Sequence, residues 1–362
     1  MSKTIKLSSF TKKSFVSYGI VIIAFVVMQI LSSTNAVSSM IKGQLVPVCA
    51  YIVMAVSLNL TVGILGELSL GHAGFMSVGA FSGVIVSFVL KQAGCSNGVR
   101  LFVGIIAGAV FGSIVGLLIG IPVLRLKGDY LAIVTLAFGE IIKSIMNNLY
   151  VGLDAKGLHL SVLQDNLSMT DGTVIISGPM GVSGNDKLST FFAGFLLIMF
   201  CLVVVYNFVD SRAGRAVAAQ RDNFIATESV GINVTKYKLT AFSISAGMAG
   251  MAGALFAMNY STIVASKFDF NTSILVLVFV VLGGLGNMTG SIIAATVLTL
   301  LPELLRAFSS YRMLLYAVVL ILIMLATNNQ TFMNYLDIAV KKIKKFFKIK
   351  NKKQEKGGAV NG

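Results

Sequence analysis

Apolar runs of about twenty residues recur along this chain of 362 residues, and they limit what it can fold into. A helix needs roughly 20 apolar residues to cross the hydrocarbon core of a bilayer. The runs lie near residues 16–34, 45–63, 70–90, 101–122, 130–149, 189–209, 239–261, 271–285, 288–305 and 312–329, and the fifth, eighth and ninth are the weakest. The sequence therefore predicts an all-α, polytopic transmembrane helix bundle with about eight to ten spans.

Composition agrees with a chain that lies mostly inside a membrane, because 56% of its residues are hydrophobic and 12% are charged. Soluble domains usually carry about 25% charged residues. Three scattered cysteines and two histidines indicate no disulfide framework and no metal site. The chain contains no G-x-x-x-x-G-K-[ST] motif and no nucleophile–base constellation, so we expect neither an ATPase site, an enzyme active site nor a bound cofactor.

The distribution of lysine and arginine predicts the orientation. With the N-terminus inside, ten spans place both tails and the segment 210–238 on one side, and these hold most of the basic residues. Basic residues favour the cytoplasmic side. We therefore expect two cytoplasmic tails, 1–15 and 331–362, around a transmembrane domain at 16–330, with the C-tail against anionic membrane lipid. Because the basic residues do not follow an aromatic-bearing groove, nucleic acid is not an expected partner.

Two polar segments interrupt the apolar pattern. The segment 210–238 is charged and helix-forming, and a spanning helix could not carry it, since each central Arg, Lys or Asp costs about 2.5–3.5 kcal/mol. It is therefore expected outside the bilayer, where a soluble partner could grip it. The predicted external segment, 150–188, contains Gly and Pro turn signals. It is interpreted either as a docking surface or as a solvated connector.

Polar residues inside or beside apolar runs are candidates for a translocation pathway. The glycine-rich stretch 63–74 predicts irregular backbone, which survives at membrane depth only beside protein or a water-filled cavity. It is either a lining element or a cytoplasmic turn. In the fifth run Glu140 is followed by Lys143 three residues later, so the two could form an ion pair. Such a pair has either a functional role or only a structural one. The candidate pathway residues are Glu67, Ser69, His72, Tyr130, Thr135 and Glu140.

Glycine recurs every fourth residue in the fourth run. This spacing predicts a ridge that lets two helix backbones approach closely. Gly247, Gly250 and Gly253 give the seventh run a second face of small residues. The ridge is either a sliding surface or a static packing surface. Its members are Gly104, Gly108, Gly112, Gly116 and Gly120.

Four stretches, in the expected order, resemble the branched-chain amino acid permeases of ATP-binding-cassette importers, in particular their M-type subunit. They are 67–73 (ELSLGHA), 128–141 (GDYLAIVTLAFGEI), 211–232 (SRAGRAVAAQRDNFIATESVGI) and 279–290 (FVVLGGLGNMTG). The resemblance implies a bacterial inner-membrane permease that pairs with a second, H-type permease. It also implies two ATP-binding cassette subunits that use ATP and Mg²⁺ at the cytoplasmic face, and a binding protein that delivers substrate from outside.

The resemblance also assigns a role to the segment 210–238, as a coupling helix held in a groove of an ATPase subunit. Residues 226–231 match the signature of these importers loosely, with departures at Phe224, Thr227 and Ser229. The charged candidates would pair at the rim of the groove, and the glycine would end the helix. The coupling residues that it implies are Arg215, Arg221, Asp222, Glu228 and Gly231.

The substrate implied by the resemblance is leucine, isoleucine or valine. Related permeases carry urea or short amides, and more distant ones carry sugars and nucleosides. A function of another class is an ion-coupled secondary transporter in which Glu67, His72 and Glu140 relay protons. Against it, the sequence shows no clear inverted halves with matched broken helices.

Overall fold

The computed structural model describes residues 9–34, 38–126, 128–154, 157–162, 172–305 and 311–328. Each predicted apolar run is helical there, which confirms the helical bundle. The helices are α1 (Ser9–Ser33), α2 (Ser39–Asn59), α3 (His72–Gln92), α4 (Asn97–Val123), α5 (Asp129–Asn147), α6 (Phe191–Asp210), α7 (Arg212–Asp222), α8 (Phe224–Ser229), α9 (Val234–Ala257), α10 (Phe270–Gly283), α11 (Met288–Leu304) and α12 (Arg312–Asn328).

The number of spans depends on the shorter helices. Within the described residues, seven helical segments are long and apolar enough to cross a membrane, and they include α1, α2, α3, α4, α6, α9 and α10. Helix α11 is apolar but shorter. Helix α5 carries Asp129, Glu140 and Lys143, and α12 has 17 residues. The predicted total of about eight to ten therefore requires some of these three helices.

The described residues up to 300 form one compact unit, and the described residues from 301 onward belong to a second. In the second unit the described residues form the end of α11 and helix α12. Helix α1 begins at Ser9, inside the predicted N-tail. The rest of that tail, 1–8, and the predicted C-tail lie outside the described residues.

Helices α3, α4 and α9 pack closely at the centre of the first unit. All five glycines of the predicted ridge are buried. A Cβ atom on Gly108 would lie 2.7 Å from the Gly250 carbonyl oxygen, and one on Gly112 would lie 2.8 Å from the Ala246 carbonyl oxygen. The predicted close approach of two backbones is therefore present, and the partner of the ridge is α9.

Helix α2 ends in a π-helical turn, Leu60–Leu65, which is buried throughout. Gly66 stops it in the left-handed conformation, with φ +80°. Residues 66–71 then run without helix or strand to the start of α3. A Cβ atom on Gly71 would lie 2.0 Å from the Thr135 carbonyl oxygen, so this return segment packs directly on α5. The predicted irregular backbone is therefore present beside protein.

A five-stranded antiparallel sheet lies at the end of the bundle where α5 stops and α6 begins, here called the sheet end. Its strands are β1 (Leu149–Asp154), β2 (Gly157–Val162), β3 (Gly172–Ser177), β4 (Val182–Ser183) and β5 (Thr262–Ile263), in the order β2-β1-β3-β4-β5. Val151 and Ile176 are paired across β1 and β3 and are fully buried. The sequence indicated turns with short structure here, but not a sheet, because β5 lies far from the other strands along the chain.

Charged side chains fasten the loop after β4 to the bundle. Arg100 is 4% exposed and donates to the Ser87 carbonyl oxygen at 3.2 Å and to Asp186 Oδ2 at 2.8 Å. Lys91 Nζ also lies 2.8 Å from Asp186 Oδ2. Hydrogen bonds from the Lys91 ammonium and the Arg100 guanidinium hold the pKa of Asp186 below its usual 3.8. The carboxylate is therefore more stable in the folded protein than in the unfolded chain.

We expect the Asp186→Asn variant to unfold at a lower temperature than the wild type at neutral pH. A carboxyl with a depressed pKa stabilises the fold above its unfolded pKa, and this contribution is lost as pH falls through the folded pKa. The difference should therefore shrink in acid, below the usual value of 3.8. Thermal unfolding in detergent at neutral and acidic pH measures it, with the exposed Asp210→Asn as the control. A difference that does not change with pH would contradict the prediction.

Candidate functional site

The polar segment between α6 and α9 folds into two short, capped helices. Ser211 Oγ accepts from the Gly214 amide at 3.1 Å and begins α7, and Asn223 Oδ1 accepts from the Ala226 amide at 3.0 Å and begins α8. Asn233 caps α9 in the same way. Such caps satisfy backbone groups that a helix end leaves free. Gly231, with φ +83°, follows α8, and its amide donates to the Glu228 carbonyl oxygen.

The outer side of α8 is exposed and mixed in character. Ile225 and Val230 are each 78% exposed, and Glu228 beside them is also exposed. Thr227 faces inward and is buried. Large apolar side chains that stand next to charge on a protruding helix are typical of a surface that contacts another protein.

The inner side of α7 packs on the bundle. Gly214, Val217 and Gln220 are buried. Arg221 donates from Nη1 to the Gly63 carbonyl oxygen of the π-turn at 2.9 Å. Its Nη2 lies 3.3 Å from Asp222 Oδ1. The Arg221 side chain is 44% exposed, so it stands partly at the surface and partly against the bundle.

Glu67 lies at this same end of the bundle, here called the α7 end. Its carboxylate pairs with Lys238 on α9, and the two side chains are 14% and 11% exposed. The Lys238 ammonium also lies 5.6 Å from the centre of the Phe224 ring. A cavity of about 270 Å³ is lined by Glu67, Phe224 and Lys238, among others. Glu67 therefore lies beside the candidate coupling helices, two residues before Ser69.

The pathway candidates Ser69, His72 and Thr135 come together around the start of α3. His72 Nε2 lies 2.6 Å from Ser57 Oγ, and Thr135 Oγ1 accepts from the Leu70 amide at 3.1 Å. All three side chains are buried. Within the described part of the chain, Ser69 Oγ and His72 Nδ1 have no hydrogen-bond partner. These three residues therefore form a buried polar cluster between apolar helices.

The other two pathway candidates lie on α5 and are less buried. Tyr130 is 74% exposed, and Ile133 beside it is 62% exposed. Glu140 pairs with Lys143, as the spacing indicated, and these side chains are 39% and 28% exposed. Glu140 also lines a small pocket with Leu70 and Gly74, which flank the start of α3, whereas Tyr130 stands at the surface.

Several residues at the α7 end are absent from the sequence-based candidates. Lys238 is one, although a lysine at the start of an apolar run is a signal that could have identified it. Asn59 is another, because a single amide inside α2 shows no pattern in the sequence. Arg221 was identified, but its contact with the π-turn could not be, since 158 residues separate the two partners.

Known proteins resemble most of this chain. A family model described as "Branched-chain amino acid transport system / permease component" matches residues 40–326. The high-affinity branched-chain amino acid permease protein LivM of Salmonella typhimurium is 35% identical over 286 residues, which cover 76% of this chain and 66% of that protein. LivM of Escherichia coli is 33% identical over 309 residues, with the same coverage.

More distant similarity extends to a permease for another substrate. The ribose import permease protein RbsC of Haemophilus influenzae is 27% identical over 276 residues, which cover 70% of this chain and 82% of that protein. No solved structure matches the chain. The chain spans 66% of the length of the two LivM proteins. The family match extends over most of the described helices, so this multi-pass membrane protein belongs to the branched-chain amino acid transport permease family.

Proposed function

We propose that this chain is the permease subunit of an ATP-binding-cassette importer that moves branched-chain amino acids across a bacterial inner membrane. The observation that carries the proposal is the α7–α8 unit. It is capped, polar and exposed on one side, and Arg221 joins it to the bundle. A cytoplasmic helical unit of this kind can transmit conformational changes of separate ATPase subunits to the membrane helices. The family match and the two LivM relatives support the same function.

The proposed assembly has four kinds of partner. Two ATP-binding cassette subunits that use ATP and Mg²⁺ bind the cytoplasmic α7 end, and a second, H-type permease completes the membrane part. Both termini are cytoplasmic in this arrangement, and the chain itself binds no cofactor. A substrate-binding protein docks at the sheet end, where Leu160 and Met180 are 63% and 75% exposed. Membrane lipid surrounds the bundle.

We assign different roles to the coupling candidates. Arg215, Asp222 and Glu228 are exposed and form the charged rim that meets an ATPase subunit. Ile225 and Val230 add the apolar contact between them. Gly231 ends the α8 turn. Because the Arg221 guanidinium reaches Gly63, its coupling role is directed toward the bundle rather than toward the charged rim.

The alternatives are an importer for urea or short amides and an importer for sugars or nucleosides. Similarity to a ribose permease and to a nucleoside permease of Lactococcus lactis at 27% and 24% identity favours the second of these over the first. An ion-coupled transporter is less well supported, because Glu67 and Glu140 each form an ion pair with a lysine. Ionisable residues inside membrane bundles commonly pair with one another, so these two acids have a structural role that needs no proton relay.

We expect Glu228→Lys to release the ATPase subunits and to lower leucine uptake by about tenfold or more, since like charges opposed across an interface cost several kcal/mol. Co-purification of the subunits and uptake into reconstituted vesicles measure the two effects. Gln92→Lys adds positive charge at the sheet end and is the control for co-purification of the ATPase subunits.

Unchanged co-purification and uptake in Glu228→Lys would contradict the coupling role. The orientation has its own test, in which a cysteine at the exposed position Asn223 is labelled from either side of the membrane. Labelling from outside would refute the proposal. Titration of the associated binding protein with leucine and with urea tests the substrate. Binding of urea without binding of leucine would overturn the assignment of branched-chain amino acids.

A further inference from the structure

Asn59, the last residue of α2, joins three parts of the bundle. Its side chain is fully buried. Asn59 Oδ1 accepts from the Gly286 amide in the turn between α10 and α11 at 2.8 Å, and Asn59 Nδ2 donates to Ser291 Oγ on α11 at 2.8 Å. One carboxamide therefore joins the end of α2 to the α10–α11 turn and to the first turn of α11.

The π-turn lies directly against this junction. A Cβ atom on Gly63 would lie 2.0 Å from Asn59 Oδ1 and 2.2 Å from the Gly286 nitrogen. Because Gly63 has no side chain, its backbone can pack against Asn59 Oδ1 and the Gly286 nitrogen, which form a hydrogen bond with each other. The Gly63 carbonyl oxygen is also the acceptor for Arg221 Nη1. π-turns occur frequently at functional sites, where they displace backbone groups from the helical ladder.

The α10–α11 turn is itself compact. A Cβ atom on Gly290 would lie 1.8 Å from the Gly283 carbonyl oxygen, so the two helices meet backbone to backbone. Displacement of Gly286 therefore moves both helix ends together. Buried hydrogen bonds are costly to leave unmade, so the junction favours joint movement of its parts over separation.

We infer that Asn59 and the π-turn Leu60–Leu65 form a positioning element that passes displacement of α7 to the α10–α11 turn. Displacement of Arg221 moves Gly63 through their hydrogen bond. Gly63 and Asn59 then move Gly286 by contact, and Asn59 moves Ser291 through a hydrogen bond. This inference rests on the proposed function, since it gives the coupling helices a defined receiver inside the bundle. Asn59 and Arg221 are positioning residues, and neither needs to touch the substrate.

The first test compares Arg221→Met with Arg212→Met in the complete complex, reconstituted in vesicles with its ATPase subunits and binding protein. Methionine keeps an apolar stem beside Gly66 but removes the donor to Gly63. We expect Arg221→Met to retain the ATPase subunits and to lower leucine uptake per ATP hydrolysed by about tenfold, a scale typical of coupling between two sites. Arg212 lies on the same helix and is exposed, and its variant should keep the wild-type ratio.

A second measurement follows the α10–α11 turn without reference to the substrate. A cysteine at Leu285, which is 58% exposed, is labelled before and after ATP and vanadate are added. We expect ATP and vanadate to change the labelling rate in the wild-type background and to leave it unchanged in Arg221→Met. A merely structural role for Arg221 would lower protein yield without removing this response.

A double-mutant cycle then links the two residues. If Arg221 and Asn59 act through one element, the loss of coupling in Arg221→Met with Asn59→Ala is smaller than the sum of the single free-energy losses. If Asn59→Ala does not fold, the labelling response of Arg221→Met decides alone.

The outcomes separate this inference from the proposed function. ATPase subunits that fail to bind the wild-type chain would overturn the proposed function. If the ATPase subunits bind, two results would overturn only the positioning role. One is a labelling response that persists in Arg221→Met, and the other is a cysteine at position 285 whose labelling does not respond in the wild-type background.

Discussion

Gly79→Ala is expected to prevent the permease from accumulating as a folded protein. Gly79 lies on α3 against α9, and a Cβ atom there would lie 2.1 Å from the Gly250 carbonyl oxygen and 2.3 Å from Gly250 Cα. These are backbone atoms, so only separation of the two helices can relieve the clash. Overpacking a core costs about 1–3 kcal/mol, and we expect the upper end here because no side chain can rotate away. The yield of monodisperse protein after extraction from membranes measures the effect.

Gly98→Ala is the matched control for this substitution. Gly98 lies in the first turn of α4, and no heavy atom lies within 4 Å of its added Cβ. Alanine also favours helix over glycine by about 1 kcal/mol, so the control should accumulate at least as well as the wild type. Wild-type yield and thermal stability in Gly79→Ala would contradict the packing of α3 on α9.

Lys238→Met is expected to destabilise the folded chain by about 3 kcal/mol, because it leaves the carboxylate of Glu67 enclosed without its cation. Both side chains are largely buried, at 11% and 14% exposed. The double variant Glu67→Gln with Lys238→Met removes the uncompensated charge and should recover most of the loss. Unfolding in mixed detergent micelles measures the free-energy difference.

Lys143→Met provides the matched comparison, since it also removes the lysine of an ion pair. The Glu140–Lys143 pair is more exposed, at 39% and 28%. Exposed pairs contribute about 0–1 kcal/mol, so the loss should be much smaller than that of Lys238→Met. Equal losses in the two variants, or no recovery in the double variant, would refute the special importance of the Glu67–Lys238 pair.

The membrane helices and the polar coupling segment could be predicted because their signals are local. A run of apolar residues is sufficient to indicate a helix such as α4, and the charges around Arg221 are sufficient to exclude that segment from a span. The glycine ridge was predicted by spacing alone. Its partner α9 was not, because periodicity describes one helix face and not what covers it.

The candidate pathway residues show what such reasoning leaves open. Glu67, Tyr130 and Glu140 were grouped with His72 because all are polar and lie in or near apolar sequence. In the structure Glu67 pairs with Lys238, Tyr130 is exposed, and Glu140 pairs with Lys143 one turn further along α5. Polarity within an apolar run identifies residues that need a partner or a wet surface. It does not identify which of these each residue has.

The amino-acid order by itself determined a multi-pass helical chain with one polar handle, since hydropathy and charge act on each segment separately. Only the tertiary structure decided that the handle reaches Gly63 through Arg221, and that Asn59 holds the α10–α11 turn. These partners lie 158 and 227 residues apart in the chain. A buried polar group must find its hydrogen-bond partner in space, and folding brings such distant partners together.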